Sequence, residues 1–227
     1  MPPTNNRQDH HPTAVRSFVR RAGRMTAAQK RALTELWPRY GIDFAPELVD
    51  FEQVFGRSAP RVMEIGFGNG ELLVEMAAAH PEQDFLGVEV HAPGVGHCLL
   101  AAERAGITNL RVICHDAVEV LCEQIADASL DTVQLFFPDP WPKKRHHKRR
   151  IVQPAFVRLV ARKLKADGLL HIATDWELYA EHIETIIEDS GVFSRLSEPT
   201  RSRSKTKFET RGEHLGHSIW ERVYRRH

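Results

Sequence analysis

From residue 61 to residue 190 the sequence alternates five times between a short apolar run and a longer run of helical periodicity. The apolar runs cover 61–68, 84–90, 109–116, 130–140 and 169–175; the helical ones cover 71–80, 96–106, 117–126, 154–168 and 176–190. Parallel strands need a crossover of about a dozen residues or more, and a helix supplies it. Right-handed crossovers of this kind wind a mostly parallel sheet with helices on both faces, so the expected class is a doubly wound α/β domain. Upstream, "TAAQKRALTEL" (26–36) begins at a Thr cap, and "APELVDFEQVF" (45–55) reads as a second short helix. Pro154 falls in the first turn of its helix, which Gly168 is expected to end. "GHSIWERVY" (216–224) alternates like a final strand, antiparallel and at an edge. A single domain is therefore expected over 14–227, with a basic helical extension at its start, behind a disordered lead over 1–13.

Several classes are disfavoured by composition. No apolar run approaches the roughly 18 residues of a membrane helix, and the polar start "MPPTNNRQDHHPTA" has no signal-peptide core. Cys98, Cys114 and Cys122 lack CxxC spacing and fall in apolar contexts, which fits reduced thiols in a cytoplasmic protein. His146 and His147 stand among cations that would repel a divalent ion, so no metal is expected. Oligomeric state is left open between monomer and homodimer.

Charge is segregated along the chain. Residues 1–31 carry seven Lys/Arg against one acid, 143–150 carry six against none, and 200–227 carry eight against three. Between Asp43 and Asp131 the balance reverses, sixteen acids to four bases. Such blocks point to two surfaces with different partners, the basic ones forming a footprint for a polyanion.

The acids recur at the carboxyl ends of the expected strands, where ligands bind in open α/β sheets. Glu64 precedes the turn "GFGNG" (66–70), in which Gly66 and Gly68 allow close backbone approach. The pattern is GxGxG followed by Glu71, not the GxGxxG of a dinucleotide site, and a pyrophosphate would be repelled by Glu64 and Glu71. A cationic, phosphate-free adenosine ligand would not be, and S-adenosylmethionine is such a ligand. Glu89, nineteen residues after Gly70, stands where an acid accepts from ribose hydroxyls, and Asp116 where one accepts from an adenine amino group. Singly, each would pass for an acid at a helix start; ending three successive strands together, they point to that cofactor.

Asp139 ends the fourth strand within "FFPDPWPKKRHHKRR" (136–150). Phe136, Phe137 and Trp141 surround this acid and suit an aromatic acceptor, and 143–150 follow as a strip to hold phosphates. A small-molecule methyltransferase would explain the acids and the turn without the basic blocks. A non-catalytic RNA-binding module would explain the blocks without the acids.

The chain resembles the bacterial tRNA (guanine-N7-)-methyltransferases in "RSFVRRAGRMTAAQ" (16–29), "EIGFGNGE" (64–71), "GVEVHAPGVG" (87–96), "FFPDPWPKKRHHKRRIVQ" (136–153), "TDWELYA" (174–180) and "TKFETRGEHLGHSIWE" (206–221). The resemblance implies a seven-stranded, Rossmann-like methyltransferase sheet and methyl transfer to N7 of a guanosine in the tRNA variable loop. It implies that Glu64, Glu89 and Asp116 hold the cofactor, with Gly66 and Gly68 in the turn, and that Asp139 is both a cofactor contact and the active-site acid, Asp116 and Asp139 facing the reaction centre. It further implies that Lys143, Asp175, Thr206, Lys207, Phe208 and Glu209 contact the guanosine. Arg145, His146, His147, Lys148, Arg149 and Arg150 would lie against the RNA.

Overall fold

A computed structural model of the chain describes residues 16–18, 24–196, 209 and 218–227. The expected lead over 1–13, and Thr206, Lys207 and Phe208, lie outside the described residues. Helix α1 (Ala27–Glu35) begins where the sequence places it. The Thr26 hydroxyl accepts from the Gln29 N–H while the Gln29 side chain accepts from the Thr26 N–H, a reciprocal capping box. A short α2 (Trp37–Tyr40) follows directly. The helix expected over 45–55 forms only as α3 (Phe51–Phe55). Asp50 adopts extended backbone and its carboxylate caps the Gln53 N–H, so the helix cannot start earlier.

The alternation then runs β1 (Arg61–Ile65), α4 (Glu71–Ala79), β2 (Asp84–Val88), α5 (Ala92–Ala105), β3 (Leu110–Ile113), α6 (Ala117–Glu123), β4 (Leu130–Phe136), α7 (Pro154–Lys163), β5 (Leu164–Thr174) and α8 (Glu177–Ser190). β6 (Phe193–Arg195) and β7 (Trp220–Arg226) complete a seven-stranded sheet of order β3-β2-β1-β4-β5-β7-β6. β1 to β5 are mutually parallel, and β7 is antiparallel to both its neighbours.

Three expectations are corrected. Gly168 does not end α7. Leu164 turns to extended backbone, pairs with Leu130, and the chain bulges before Leu169 meets Thr132, so Gly168 lies inside β5. The 216–224 strand begins at Trp220 and is not an edge, because the three-residue β6, too short to show a period, pairs outside it. Finally, α5 starts four residues before 96, with Pro93 in its first turn.

Alternate residues of the strands feed two core layers. Met63, Ile65, Leu86 and Val133 pack with α6, α7 and α8, whereas Val62, Phe85, Leu110 and Val112 pack with α4, α5 and α1. Strand order reverses between β1 and β4, and a crevice opens there beyond their carboxyl ends. Among the described residues no helix is long and apolar enough to cross a membrane.

Candidate active site

Glu64 is the penultimate residue of β1 and is buried on the face it shares with Val62. Across from it on α5, burial first and the Glu64 charge second push the Cys98 thiol far above its ordinary range, so this cysteine is inert packing. The turn that follows places Gly66, Gly68 and Gly70 at φ of 74°, 59° and 73°, left-handed backbone that glycine adopts without cost. A Cβ at Gly66 or Gly68 would meet nothing within 4 Å, so their bare backbone faces open space that a ligand can use. At Gly94 a Cβ would stand 2.2 Å from the Gly68 carbonyl oxygen, so the start of α5 closes directly on the turn.

Glu89 follows β2 and ties these parts together. One carboxylate oxygen accepts from the Gly68 N–H at 2.9 Å; the other accepts from Val90 at 2.7 Å and His91 at 2.9 Å. Asp116 caps α6, one oxygen accepting from the Val118 N–H at 2.8 Å. Its neighbour His115 stacks on Phe44 with ring centroids 3.7 Å apart. Glu64, Glu89, Asp116 and Asp139 all line one cavity of about 550 Å³, together with Gly66 to Gly70, His91, His115, Phe136, Phe137 and, from the amino-terminal segment, Ser17 and Phe18. That volume lies within the range of small-ligand sites.

The corner carrying Asp139 departs from regular backbone. β4 stops at Phe136 because Phe137 takes φ 52°, while its N–H still donates to the Ala173 carbonyl at 2.8 Å. Trp141 takes φ 46°. Non-glycine residues in this region each cost about 1–2 kcal/mol and concentrate at functional sites. The sequence suggested an acid enclosed by aromatic rings; in the structure Asp139 is exposed at the cavity mouth. Trp141 donates its Nε1–H to the Ser17 carbonyl at 3.1 Å and so anchors the segment that contributes Ser17 and Phe18.

The basic strip forms a 3-10 helix over Lys144–Arg149. Lys143, Lys144, Arg145 and Lys148 are exposed; His146, His147 and Arg149 are half-buried. Desolvation, then Arg145, Arg149, Lys143 and Lys148, hold His146 below the usual imidazole range. Arg150 departs from the expected surface: it is 3% exposed, its guanidinium turned inward. Asp175 follows β5 and borders a second hollow of about 660 Å³ with Trp176, Glu181, Trp220 and Arg222. Glu209 is buried. Sequence reasoning thus missed His115, Ser17 and Phe18 as lining residues. His115 adjoins Asp116, a usable signal, but Ser17 and Phe18 reach the cavity through tertiary contact alone.

A family model described as "Putative methyltransferase" matches residues 58–222. A protein of Edwardsiella ictaluri named "tRNA (guanine-N(7)-)-methyltransferase" is 56% identical over 218 residues, covering 93% of this chain and 92% of that protein. One of the same name from Chromohalobacter salexigens is 52% identical over 233 residues, covering 99% and 95%. Among solved structures, the aminoglycoside resistance methyltransferase NpmB1 superposes with a TM-score of 0.56 at 15% identity, over 80% of this chain and 95% of that one. The [4+2]-cyclase SpnF superposes at 0.54 and 14%, over 88% and 81%. The structures speak for the fold alone, which supports more than one chemistry. Sequence identity of this extent speaks for more, and the chain belongs to the tRNA (guanine-N7-)-methyltransferase family.

Proposed function

We propose that this chain transfers a methyl group from S-adenosylmethionine to N7 of a guanosine in the variable loop of tRNA, at the Asp139 end of the cavity. The observation carrying this reading is convergence. Acids from the ends of four strands line a single cavity with the glycine turn, and the basic strip begins four residues after the last of them. The relatives' names support the substrate.

The donor set fits the cofactor. A lining with six carboxylates, Glu71 and Glu75 adding to the four at the strand ends, repels phosphate and suits a cationic adenosine. Three backbone N–H groups occupy three of the roughly four lone-pair sites of the Glu89 carboxylate, which leaves the oxygen bonded to Gly68 one site for a ribose hydroxyl. Asp116 commits one oxygen to the Val118 N–H, which leaves the other for an adenine amino group. Glu64 supplies a buried negative charge for the cationic end. S-adenosylmethionine, when bound, supplies a methyl group on a positively charged sulfur.

Guanine N7 carries a lone pair and no proton, so Asp139 need not act as a base. Its role is to orient the guanine through the base's N–H groups and to offset the positive charge the base acquires. Lys143 and Asp175 hold the guanosine from the strip and from the end of β5, with Thr206, Lys207, Phe208 and Glu209 completing its site. Arg145, His146, His147, Lys148 and Arg149 grip phosphates and so position the RNA. A tRNA substrate places the protein in the cytoplasm. Incubation with methyl-labelled cofactor and unmodified tRNA, followed by nucleoside analysis, should yield labelled 7-methylguanosine. Label in another nucleoside, or transfer only to small molecules, would refute the reading.

A further inference from the structure

Arg150 ends the basic strip, yet it is buried. Its Nε–H donates to the Pro140 carbonyl at 2.9 Å, one residue beyond Asp139. One terminal nitrogen donates to His147 Nε2 at 3.2 Å, and the other reaches the Leu178 carbonyl at 3.5 Å. The guanidinium lies 4.8 Å from the ring centroid of Tyr179, which is fully buried. A planar fork with donors on three sides, stacked on an aromatic face, is a geometry that lysine cannot reproduce. One side chain thereby joins the acid-bearing corner, the RNA strip and the first turn of α8.

The corner needs such a tie. Pro138 and Pro140 have no N–H to donate, so the backbone on either side of Asp139 is held by few bonds of its own. Phe137 anchors the near side through its N–H to Ala173. The Pro140 carbonyl anchors the far side, and Arg150 is its donor. Burial also depresses the Arg150 pKa, a sign of the cost of keeping this cation inside.

We infer that Arg150 is a positioning residue that fixes the Asp139 corner and couples it to the strip, and that it does not contact RNA phosphates. This inference rests on the assignment of Asp139 as the active-site acid. Arg150→Lys keeps the charge and loses the fork, and Arg150→Gln is a second variant. Both are assayed well below the lower melting temperature, beside the wild type at the same temperature. Single-turnover rates at saturating tRNA and cofactor should fall roughly 10- to 100-fold, as expected when a reacting geometry is displaced by about an ångström. The tRNA dissociation constant and its salt slope should stay within about twofold, because no phosphate contact is lost. In an Asp139→Asn background, Arg150→Lys should lower the rate by less than about threefold, since both changes act on one corner. An unchanged rate, a fully additive double variant, or weaker tRNA binding with a flattened salt slope would overturn the inference. Full activity of Asp139→Asn alone would instead remove the role given to Asp139, a result read independently of Arg150.

Discussion

Asp139 stands between two prolines at the mouth of a cavity that five other carboxylates also line. Its exposure suits a group that meets an incoming base better than one that binds a resident ligand. Asp139→Asn keeps the shape and removes the charge, so cofactor affinity by calorimetry should change by less than about threefold, while the saturated rate falls about 100-fold or more. Loss of cofactor binding with the rate at saturation intact would reassign the residue. A second residue-scale prediction concerns His182, which donates from Nε2 to the Val152 carbonyl at 2.9 Å. Burial, only partly opposed by that bond, lowers its pKa from the ordinary 6.5. The unfolded chain therefore binds the proton more readily than the folded one. The stability associated with neutral His182 is complete above pH 6.5 and is lost as the pH falls from there through the depressed folded value. His182→Gln should shrink the drop in melting temperature between pH 7.5 and pH 5.5, and an unchanged drop would place the acid sensitivity elsewhere.

Helix α5 and the glycine turn act as one element. The turn is pinned by Glu89 through the Gly68 N–H, and α5 closes on the Gly68 carbonyl at Gly94. Gly94→Ala would favour the helix by propensity, yet its methyl group has to displace backbone. Cofactor affinity should fall about tenfold or more, because the displaced turn is the part that approaches the ligand. Gly106 ends the same helix at φ 64° with nothing within 4 Å of a Cβ, so Gly106→Ala should cost about 1–2 kcal/mol of stability and leave cofactor affinity unchanged. Equal effects of the two on affinity would argue against the turn as the ligand's seat. At this scale the sequence is readable wherever a period or a cap is present, as in the order of the five βα units and the Thr26 cap. It is unreadable where tertiary pairing decides. Leu164 leaves its helix to pair with Leu130, and β6 has three residues against β7. The same limit hid Arg150, because a run of cations looks uniformly solvated until Tyr179 and the Pro140 carbonyl are seen to hold one of them inside.

Among the described residues, acids line the crevice and the basic strip starts four residues beyond Asp139 at its mouth. A nearly neutral chain, with a formal charge of +1, can thus hold a cationic ligand and a polyanion within a short distance of each other. The polyanion should be felt through counterion release, in which each phosphate contact adds roughly 0.7–0.9 to the slope of log affinity against log salt. Arg145 and Lys148 are exposed on the strip. Removing both as alanine should lower the tRNA slope by about 1.4–1.8 and weaken binding more at low salt than at high salt. Arg104, exposed near the end of α5, is the control, and Arg104→Ala should leave the slope unchanged. The two classes of variant then separate the two fields. Changes on the strip should move tRNA affinity with salt while cofactor affinity stays fixed, and Glu89→Gln should do the reverse. If the strip variants left the slope intact, the phosphate contacts would have to come from the amino-terminal or carboxy-terminal basic blocks, and the strip would be a spacer between crevice and RNA.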